Sequence, residues 1–518
     1  MKKKEQRPTK EHYQRLRLLT CEQLWTEEVP VFDKASPQER IERVSVVRAV
    51  GVAFSESGTP AQKERARQWL FALLQDPAEK IRRYAMVALP KIGAGETEEA
   101  ALLTLLRKTP SDREKKFLAQ TLEKIGGTAT LETRTDGKYS SLDRTAQKVE
   151  ANLARVRHPS TIRFENPLRH FKGLQIHLHG RSGLERLISE ELQEQTKVEA
   201  KFRIIHSETG MLTITPRIPF KLADIYALRC FSTTSLVLGT VPHPKNEGDI
   251  AALASVIASH SARRIFETFT GGPLRYRLEF VSKGHQRSAV RALAQRVYTL
   301  CPKLLNDSRN APWEIGIYPA AEGCSVELSP KLRPDPRFYY RSGDVPAASH
   351  PPLAACMARL AGREENETVW DPFCGSGLEL IERALRGGVR EIFATDRSEE
   401  AIATAQANIA AARLAPLKTT FACCDFRDYT TVLGLGTNTV SLVITNPPMG
   451  RRVPIANLHG LIRDLFNAAS AVLRPGGRLV FVNPLTIEPE DRSLKLQFRQ
   501  KVDLGGFSCR MEKYVKQA

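Results

Sequence analysis

Two stretches of the sequence hold residue types at spacings that could do chemistry. In VITNPPMGRR (443–452) an apolar run stops at Asn446, Pro447 and Pro448 and meets Met449, Gly450, Arg451 and Arg452. Neither proline carries an N–H, so the run cannot continue as a strand ladder. The turn offers two rigidly placed acceptors instead, the Asn446 carboxamide oxygen and the Pro447 carbonyl. Such a pair can accept hydrogen bonds from the N–H groups of a bound ligand in a geometry fixed in advance. The second stretch, DPFCGSG (371–377), joins a strand-like run to a helix-like one. Gly375 and Gly377 there let a ligand approach the backbone and expose the helix N-terminus.

The register around the second stretch narrows the ligand. The strand-like EIFAT ends in Asp396, 25 positions after Asp371, where a carboxylate can accept both ribose hydroxyls. TTFACC leads to Asp425, near where an adenine amino group would sit. There is no G-x-G-x-x-G, since Glu379 and Leu380 follow Gly377, and no P-loop lysine. An adenosine cofactor without a pyrophosphate fits this pattern.

Three kinds of segment must position these residues. Residues 1–128 read as helices, with apolar residues at three- and four-residue spacing in PQERIERVSVVRAVGVAF, AQKERARQWLFALLQD and EKIRRYAMVALPKIG. Lys91-Ile92-Gly93 recurs as Lys124-Ile125-Gly126, 33 positions on, a helical-repeat period. Residues 129–171 are polar and turn-rich and read as a linker, with a short helix over Ala146–Val156. Residues 172–332 alternate strands (LQIHLHG, KFRIIH, MLTITPRI, LRYRLEFVSKG, PWEIGIYP, CSVELSP) with helices, an α+β region expected as two small units. PFKLADIYALRCF and Ala251–Phe266 are each expected as one helix there. Residues 345–518 alternate more regularly, as an α/β Rossmann-like domain does. LRPGGRLVFV (473–482) reads as a helix end, a turn and a buried strand.

Composition bounds the partners. The net charge of +19 and pI of about 9.6 favour a polyanion, nucleic acid before membrane. Basic residues gather at Arg275, Arg277, Lys283, Arg287, Arg291 and Arg296. Lys283, Arg287, Arg291, Arg451 and Arg452 are the candidates for RNA phosphates. The nine cysteines are scattered, without a C-x-x-C pair, which suits reduced thiols in the cytoplasm and no zinc site. MKKKEQRPTK has no apolar core behind it, so no signal peptide is expected, and no apolar run approaches the ~20 residues of a membrane span.

DPFCGSG and NPPMG together resemble the class I S-adenosylmethionine-dependent methyltransferases, in the form used on exocyclic amino nitrogens of nucleic-acid bases. GLERLISEEL and ALRCFSTTSLVLG resemble the ferredoxin-like segment, and LRYRLEFVSKGHQRSAVRALAQRV with PWEIGIYPAAEGCSVELSP the THUMP domain, of guanine-N2 RNA methyltransferases. PAASHPPLAACMARLAG (346–362) resembles the helix these enzymes place before the first motif. The N-terminal region resembles HEAT-type repeats, a docking scaffold for a protein partner. The resemblance implies S-adenosylmethionine, held by Asp371, Phe373, Cys374, Gly375, Gly377, Asp396, Asp425 and Asn446. It implies a catalytic set of Asn446, Pro447, Pro448 and Met449. The substrate it implies is tRNA or rRNA, through a base that is flipped or already unpaired. The family has Tyr or Phe where this chain has Met449, so stacking on the base is expected to be weaker, with Phe373 a second contact. Adenine N6, in RNA or DNA, is the alternative target. A catalytically silent RNA-binding factor is the alternative of another class, with Met449 as its mark.

Overall fold

The computed structural model describes residues 8–132, 143–242, 247–281, 286–320, 323–346, 348–450 and 455–517. Two compact units divide the chain, Met1–Pro159 and Ser160–Ala518. Lys283, Arg451 and Arg452 lie outside the described residues.

Every regular element described in the first unit is a helix. Helices Ser45–Ser57, Glu79–Ile92 and Asp112–Ile125 pack side by side, with Pro60–Ala72 and Glu96–Lys108 between them in sequence. Their starts are capped as the sequence allows. Thr59 accepts the Gln62 N–H at 3.3 Å, Gln62 Oε1 accepts the Thr59 N–H at 3.0 Å, and Pro60 stands where no N–H is needed. Leu70, Ile81, Met86, Leu89, Leu118 and Leu122 are fully buried along the shared core. The repeated Lys-Ile-Gly ends a helix both times but not with the same backbone. Gly93 is left-handed at φ 102°, whereas Gly126 is extended at φ −60°. The stretch expected as a linker holds a helix, Asp143–Arg157, longer than the one read from sequence. It is fastened to its neighbour by Asn152 Nδ2, which donates to the Glu123 carbonyl at 2.7 Å.

The second unit holds two large sheets. The first has eight strands in the order Phe202–Glu208, Met211–Pro216, Ile176–His179, Thr233–Val241, Gly323–Pro330, Trp313–Ala320, Leu274–Phe280 and Leu304–Asn306. It is one continuous sheet, not two small units. Its helix-covered face is apolar because alternate residues such as Ile176, Leu178, Leu236, Val326 and Leu328 share it. Two helical expectations are corrected here. Ala251–Phe266 is two helices, Glu247–Ile257 and His260–Phe269, because Ser259 caps a new start by accepting the Ala262 N–H at 3.1 Å. PFKLADIYALRCF is helical only over Leu222–Ile225. The chain beyond is held by the Arg337 guanidinium, which donates to the Phe231 carbonyl at 2.8 Å and lies 4.0 Å from the Phe231 ring centre.

The second sheet has seven strands in the order Lys418–Cys423, Val389–Asp396, Glu367–Asp371, Val440–Thr445, Leu473–Asn483, Ser508–Lys516 and Leu494–Asp503. The first five are parallel, and Ser508–Lys516 runs antiparallel to both its neighbours. Strand order reverses between Glu367–Asp371 and Val440–Thr445, so the carboxyl ends of these strands border the crevice where open α/β sheets take ligands. The strand Leu473–Asn483 follows the helix Leu458–Val472, and the expected turn shows as a break in its pairing: Val440 stands opposite Leu473 but Leu442 opposite Arg478, with Gly476 at φ 78°.

Buried polar contacts join the two sheets. Arg229, after the short helix of the first, makes a two-pronged contact with Glu382 of the second at 2.8 and 2.7 Å. Tyr340 donates to the same carboxylate. Arg359 donates to the Glu190 carbonyl at 2.8 Å. A planar guanidinium matched to a carboxylate fixes orientation as well as distance.

Candidate active site

Fully buried Glu367–Asp371 and Val440–Thr445 deliver DPFCGSG and NPPMG side by side, since Val369 pairs with Leu442 and Trp370 with Val443. In the first turn, Gly375 has φ 49° and Gly377 φ 80°, a region that side-chain-bearing residues rarely adopt. A Cβ on Gly377 would also lie 3.3 Å from the Ala405 Cβ. The helix Leu378–Leu385 starts there. The Gly375 N–H is held by Asp396 Oδ2 at 3.0 Å, and Asp396 Oδ1 accepts the Ser398 N–H at 3.0 Å. The half-buried Asp396 carboxylate is thus pinned at the tip of its strand, with lone pairs left for hydroxyl donors. Asp425 stands one strand further, but Arg427 holds it, donating from the backbone at 3.0 Å and from Nη1 at 3.0 and 3.1 Å.

Not every residue of the first turn presents its side chain. Cys374 is 2% exposed and packs in the core, where burial pushes its thiol well up; only its backbone, whose N–H goes to the Thr395 carbonyl at 2.9 Å, shapes the turn. Asp371 is fully buried and accepts the Phe373 N–H at 3.0 Å. Burial, and then the neighbouring Glu379 carboxyl, pushes Asp371 well above the usual aspartate range. Phe373 is half-buried and lies against Phe426, with ring centres 4.8 Å apart.

Asn446 is held through its side-chain nitrogen. Its Nδ2 donates to Ser349 Oγ at 2.8 Å, and the Ser349 hydroxyl donates to Glu379 Oε1. Because an ionised Glu379 only accepts, the serine proton is committed and Ser349 must take its second bond as an acceptor from Asn446. The carboxamide is therefore turned with its nitrogen toward Ser349, and Asn446 Oδ1 is buried with no partner among the described residues. Ser376 Oγ is likewise buried without one. Orphaned buried polar atoms cost about 1–3 kcal/mol each, so they mark a place where a polar ligand fits. An adenosine-type ligand with hydroxyl and amino donors suits this set of acceptors.

Ser349 and Glu379 were missed in the sequence. Ser349 sits in PAASHPP, two residues before the helix Pro351–Ala361, and Glu379 counted only as a break in a glycine motif. Burial raises the Glu379 pKa, and the Ser349 hydrogen bond opposes that. His350 beside it is pushed down to about 4, by burial and then by Arg181, Arg341 and Arg337, so it stays neutral near pH 7.

Met449 is half-buried and its sulfur accepts a contact from the Cys509 thiol at 3.7 Å. That contact seats the side chain against the Ser508–Lys516 strand. Pro447 is buried and Pro448 half-buried. Of the phosphate candidates, Arg287 and Arg291 are exposed, four apart on the helix Arg287–Leu300, with no ion pair among the described residues. Arg275 and Arg277 are not available, since they pair with Asp307 at 3.8 Å and with Glu279 at 3.2 Å. His177, His179 and Glu327 also cluster on the first sheet, where the carboxylate accepts from Ser235, and from Ser325 at 2.9 Å, besides its 3.0 Å contact with His177 Nδ1.

Residues 339–512 match the family model of the RMKL-like methyltransferase domain. The tRNA (guanine(10)-N2)-dimethyltransferase of Methanothermobacter thermautotrophicus is 30% identical over 169 residues, 32% of this chain and 46% of that protein. The chain thus spans about half the length of this curated relative. The crystal structure of TrmN from Thermus thermophilus aligns with 66% of this chain and 99% of its own, at 20% identity and a TM-score of 0.51, a likeness of fold. Residues 339–512 are thus a methyltransferase domain of the RMKL-like kind, and its cofactor is S-adenosylmethionine.

Proposed function

We propose that the chain methylates the exocyclic amino group of a base in RNA, guanine N2 in tRNA or rRNA. The observation that carries this reading is Asn446 Oδ1, an unpartnered buried acceptor locked in orientation beside the glycine turn. Bound S-adenosylmethionine supplies an electrophilic methyl group. Asp396 is positioned to accept from ribose hydroxyls, and the Gly375–Gly377 turn admits the ligand to the backbone. Asn446 Oδ1 and the Pro447 carbonyl accept from the two N–H groups of the attacking amine. They stabilise its charge as the bond to the methyl carbon forms, and the surplus proton leaves afterwards to water. Pro447 and Pro448 fix the acceptors in advance, so little reorganisation is needed at the moment of reaction. Glu379, where ionised, adds negative potential near a cationic sulfonium.

In this reading the eight-stranded sheet and its helices form a ferredoxin-like and THUMP-type RNA-binding region, with Arg287 and Arg291 on phosphates. The first unit is a HEAT-like scaffold. All nine cysteines are free thiols, which suits a cytoplasmic setting. No helix among the described residues is long and apolar enough to cross a membrane.

Nucleoside analysis of RNA from a strain lacking the gene tests the base. Loss of N2-methylguanosine is the expected result, and loss of N6-methyladenosine instead would move the target to adenine. If neither is lost and calorimetry finds no S-adenosylmethionine binding, the chain is an RNA-binding factor without activity.

A further inference from the structure

The methyl-transfer site leaves one strongly charged cleft without a use, and it lies in the helical unit. It has a volume of about 440 Å³, within the ~300–1,000 Å³ typical of ligand sites. Five cations line it: Arg48, Lys80, Arg83, Lys91 and Arg113. Tyr84 and Phe117 stand among them, and no aspartate or glutamate lines the cleft.

Sequence periodicity explains how the residues meet. On the helix Glu79–Ile92, Lys80, Tyr84, Val87 and Lys91 recur at four, three and four residues and share one face. On Asp112–Ile125, Arg113 and Phe117 are four apart. Arg48 comes from Ser45–Ser57. A Cβ on Gly51 would lie 2.5 Å from the Ala88 Cβ, so two of these helices approach closely through small residues.

The cations are not all consumed by the fold. Lys80 Nζ donates to the Ile41 carbonyl at 3.1 Å, and Arg83 Nε is 3.0 Å from Glu79. Arg83 also lies 5.3 Å from the Phe117 ring centre. Arg48 stacks on Tyr13 at 4.2 Å. Arg48, Lys91 and Arg113 are exposed and have no ion pair among the described residues. Val87, 40% exposed, adds an apolar patch to the same face. Unpaired cations interleaved with aromatic rings suit alternating phosphates and bases. An acidic peptide would use the charges but has no call on the rings.

We propose that this cleft binds single-stranded RNA, with the backbone phosphates on Arg48, Lys91 and Arg113 and a base against Tyr84 or Phe117. The helical unit is then a second RNA-contacting module in addition to any protein docking. This assignment is independent of the methyl-transfer reading, because no residue of the cleft belongs to that site.

The test is fluorescence anisotropy of the full chain with a labelled oligouridylate of about 20 nucleotides, titrated from about 50 to 200 mM salt. The variant Arg48→Gln/Lys91→Gln/Arg113→Gln changes three exposed side chains. It should weaken binding on the order of thirtyfold and make the log–log salt slope shallower by about 2, at roughly 0.7 per phosphate. Tyr84→Leu should weaken binding about fivefold or more while leaving the slope alone. If the triple variant does not fold by circular dichroism, Lys91→Gln alone should change the slope by about 0.7. Unchanged affinity and slope overturn the proposal. So does an RNA affinity that survives the triple substitution while binding of a poly-glutamate peptide is lost, which would give the cleft to an acidic protein. S-adenosylmethionine binding should be unaffected throughout, so failure here leaves the methyl-transfer reading standing.

Discussion

Ser349 was not among the expected site residues, yet its hydrogen bonds bear directly on how Asn446 is set. The perturbation is Ser349→Ala. In the native arrangement a flipped Asn446 carboxamide would place Oδ1 against an oxygen whose only proton goes to Glu379. The flip forfeits one hydrogen bond, about 1 kcal/mol, so the wrong orientation is populated to roughly one part in five or less. Without the serine oxygen the bias disappears and about half of the molecules present the amide nitrogen to the substrate. The flip alone then lowers kcat about twofold. If the whole of one hydrogen bond, up to about 1.5 kcal/mol, is lost from the transition state, the fall is about tenfold. Asn446→Ala removes the acceptor itself and should cost about 10²–10³-fold, as removal of a preorganised oxyanion-type donor does in other enzymes.

The assay is single-turnover transfer of radiolabelled methyl from S-adenosylmethionine to RNA of the deletion strain, with both substrates saturating. Ser349 is a positioning residue, so its effect must vanish where its target is absent. In the Asn446→Ala background, Ser349→Ala should change the rate by less than about twofold. A cycle in which the two losses multiply would refute the relay. Glu379 supplies a second signature. The relay has the right polarity only while Glu379 is ionised, and burial raises its pKa. The wild-type rate should therefore fall on acidification at a pH above the ordinary glutamate range. Asp371 is raised by the same burial and remains in the variant, so only the Ser349-dependent part of that acid limb should disappear.

Asp396→Asn keeps one acceptor of the carboxylate and removes its charge; calorimetry should show S-adenosylmethionine bound about tenfold more weakly, equivalent to ~1.4 kcal/mol, and unchanged binding would remove Asp396 from the ribose. Met449→Leu should leave turnover within about twofold, since the sulfur packs on Cys509, and a loss beyond tenfold would show that the thioether contacts the base. Glu327→Gln should lower the thermal midpoint at pH 7. Burial alone would raise the Glu327 pKa, but hydrogen bonds from His177 and His179 outweigh it and hold the group below its unfolded value. Its stabilisation is therefore complete above about pH 4.3 and declines as pH falls toward the folded pKa, so the gap between wild type and variant should narrow only in acid.

The catalytic domain was the most legible part of the sequence because its signals are local. A fully buried parallel strand reads as an unbroken apolar run, and SLVIT and EIFAT end where a turn residue and an acid must stand. Asp396 and Asn446 could be placed from that rule alone. Breaks between elements were harder, because a helix pattern continues through a cap. Ala251–Phe266 keeps its apolar spacing across Ser259, and only the hydrogen bond to the Ala262 N–H reveals the restart. The charged residues divide in the same way. Arg275 and Arg287 look alike in sequence, but the first spends its charge on Asp307 inside a sheet and the second stands exposed on a helix.

What the sequence could not disclose is the coupling between segments far apart in the chain. Ser349 and Asn446 are separated by 97 residues, and nothing local marks either as the other's partner. The same holds for Met449 and Cys509, 60 residues apart. That second contact changes the meaning of the one residue that departs from the expected motif. A methionine whose side chain is already packed on the Ser508–Lys516 strand does not have to replace a stacking aromatic ring. On the proposed reading a base then needs another surface, and the Phe373–Phe426 pair, with ring centres 4.8 Å apart beside the glycine turn, is one the site provides. On the proposed methyl-transfer reading, loss of the usual ring at position 449 is compatible with catalysis, because the acceptors that reading needs are Asn446 Oδ1 and the Pro447 carbonyl, not the side chain that follows the prolines.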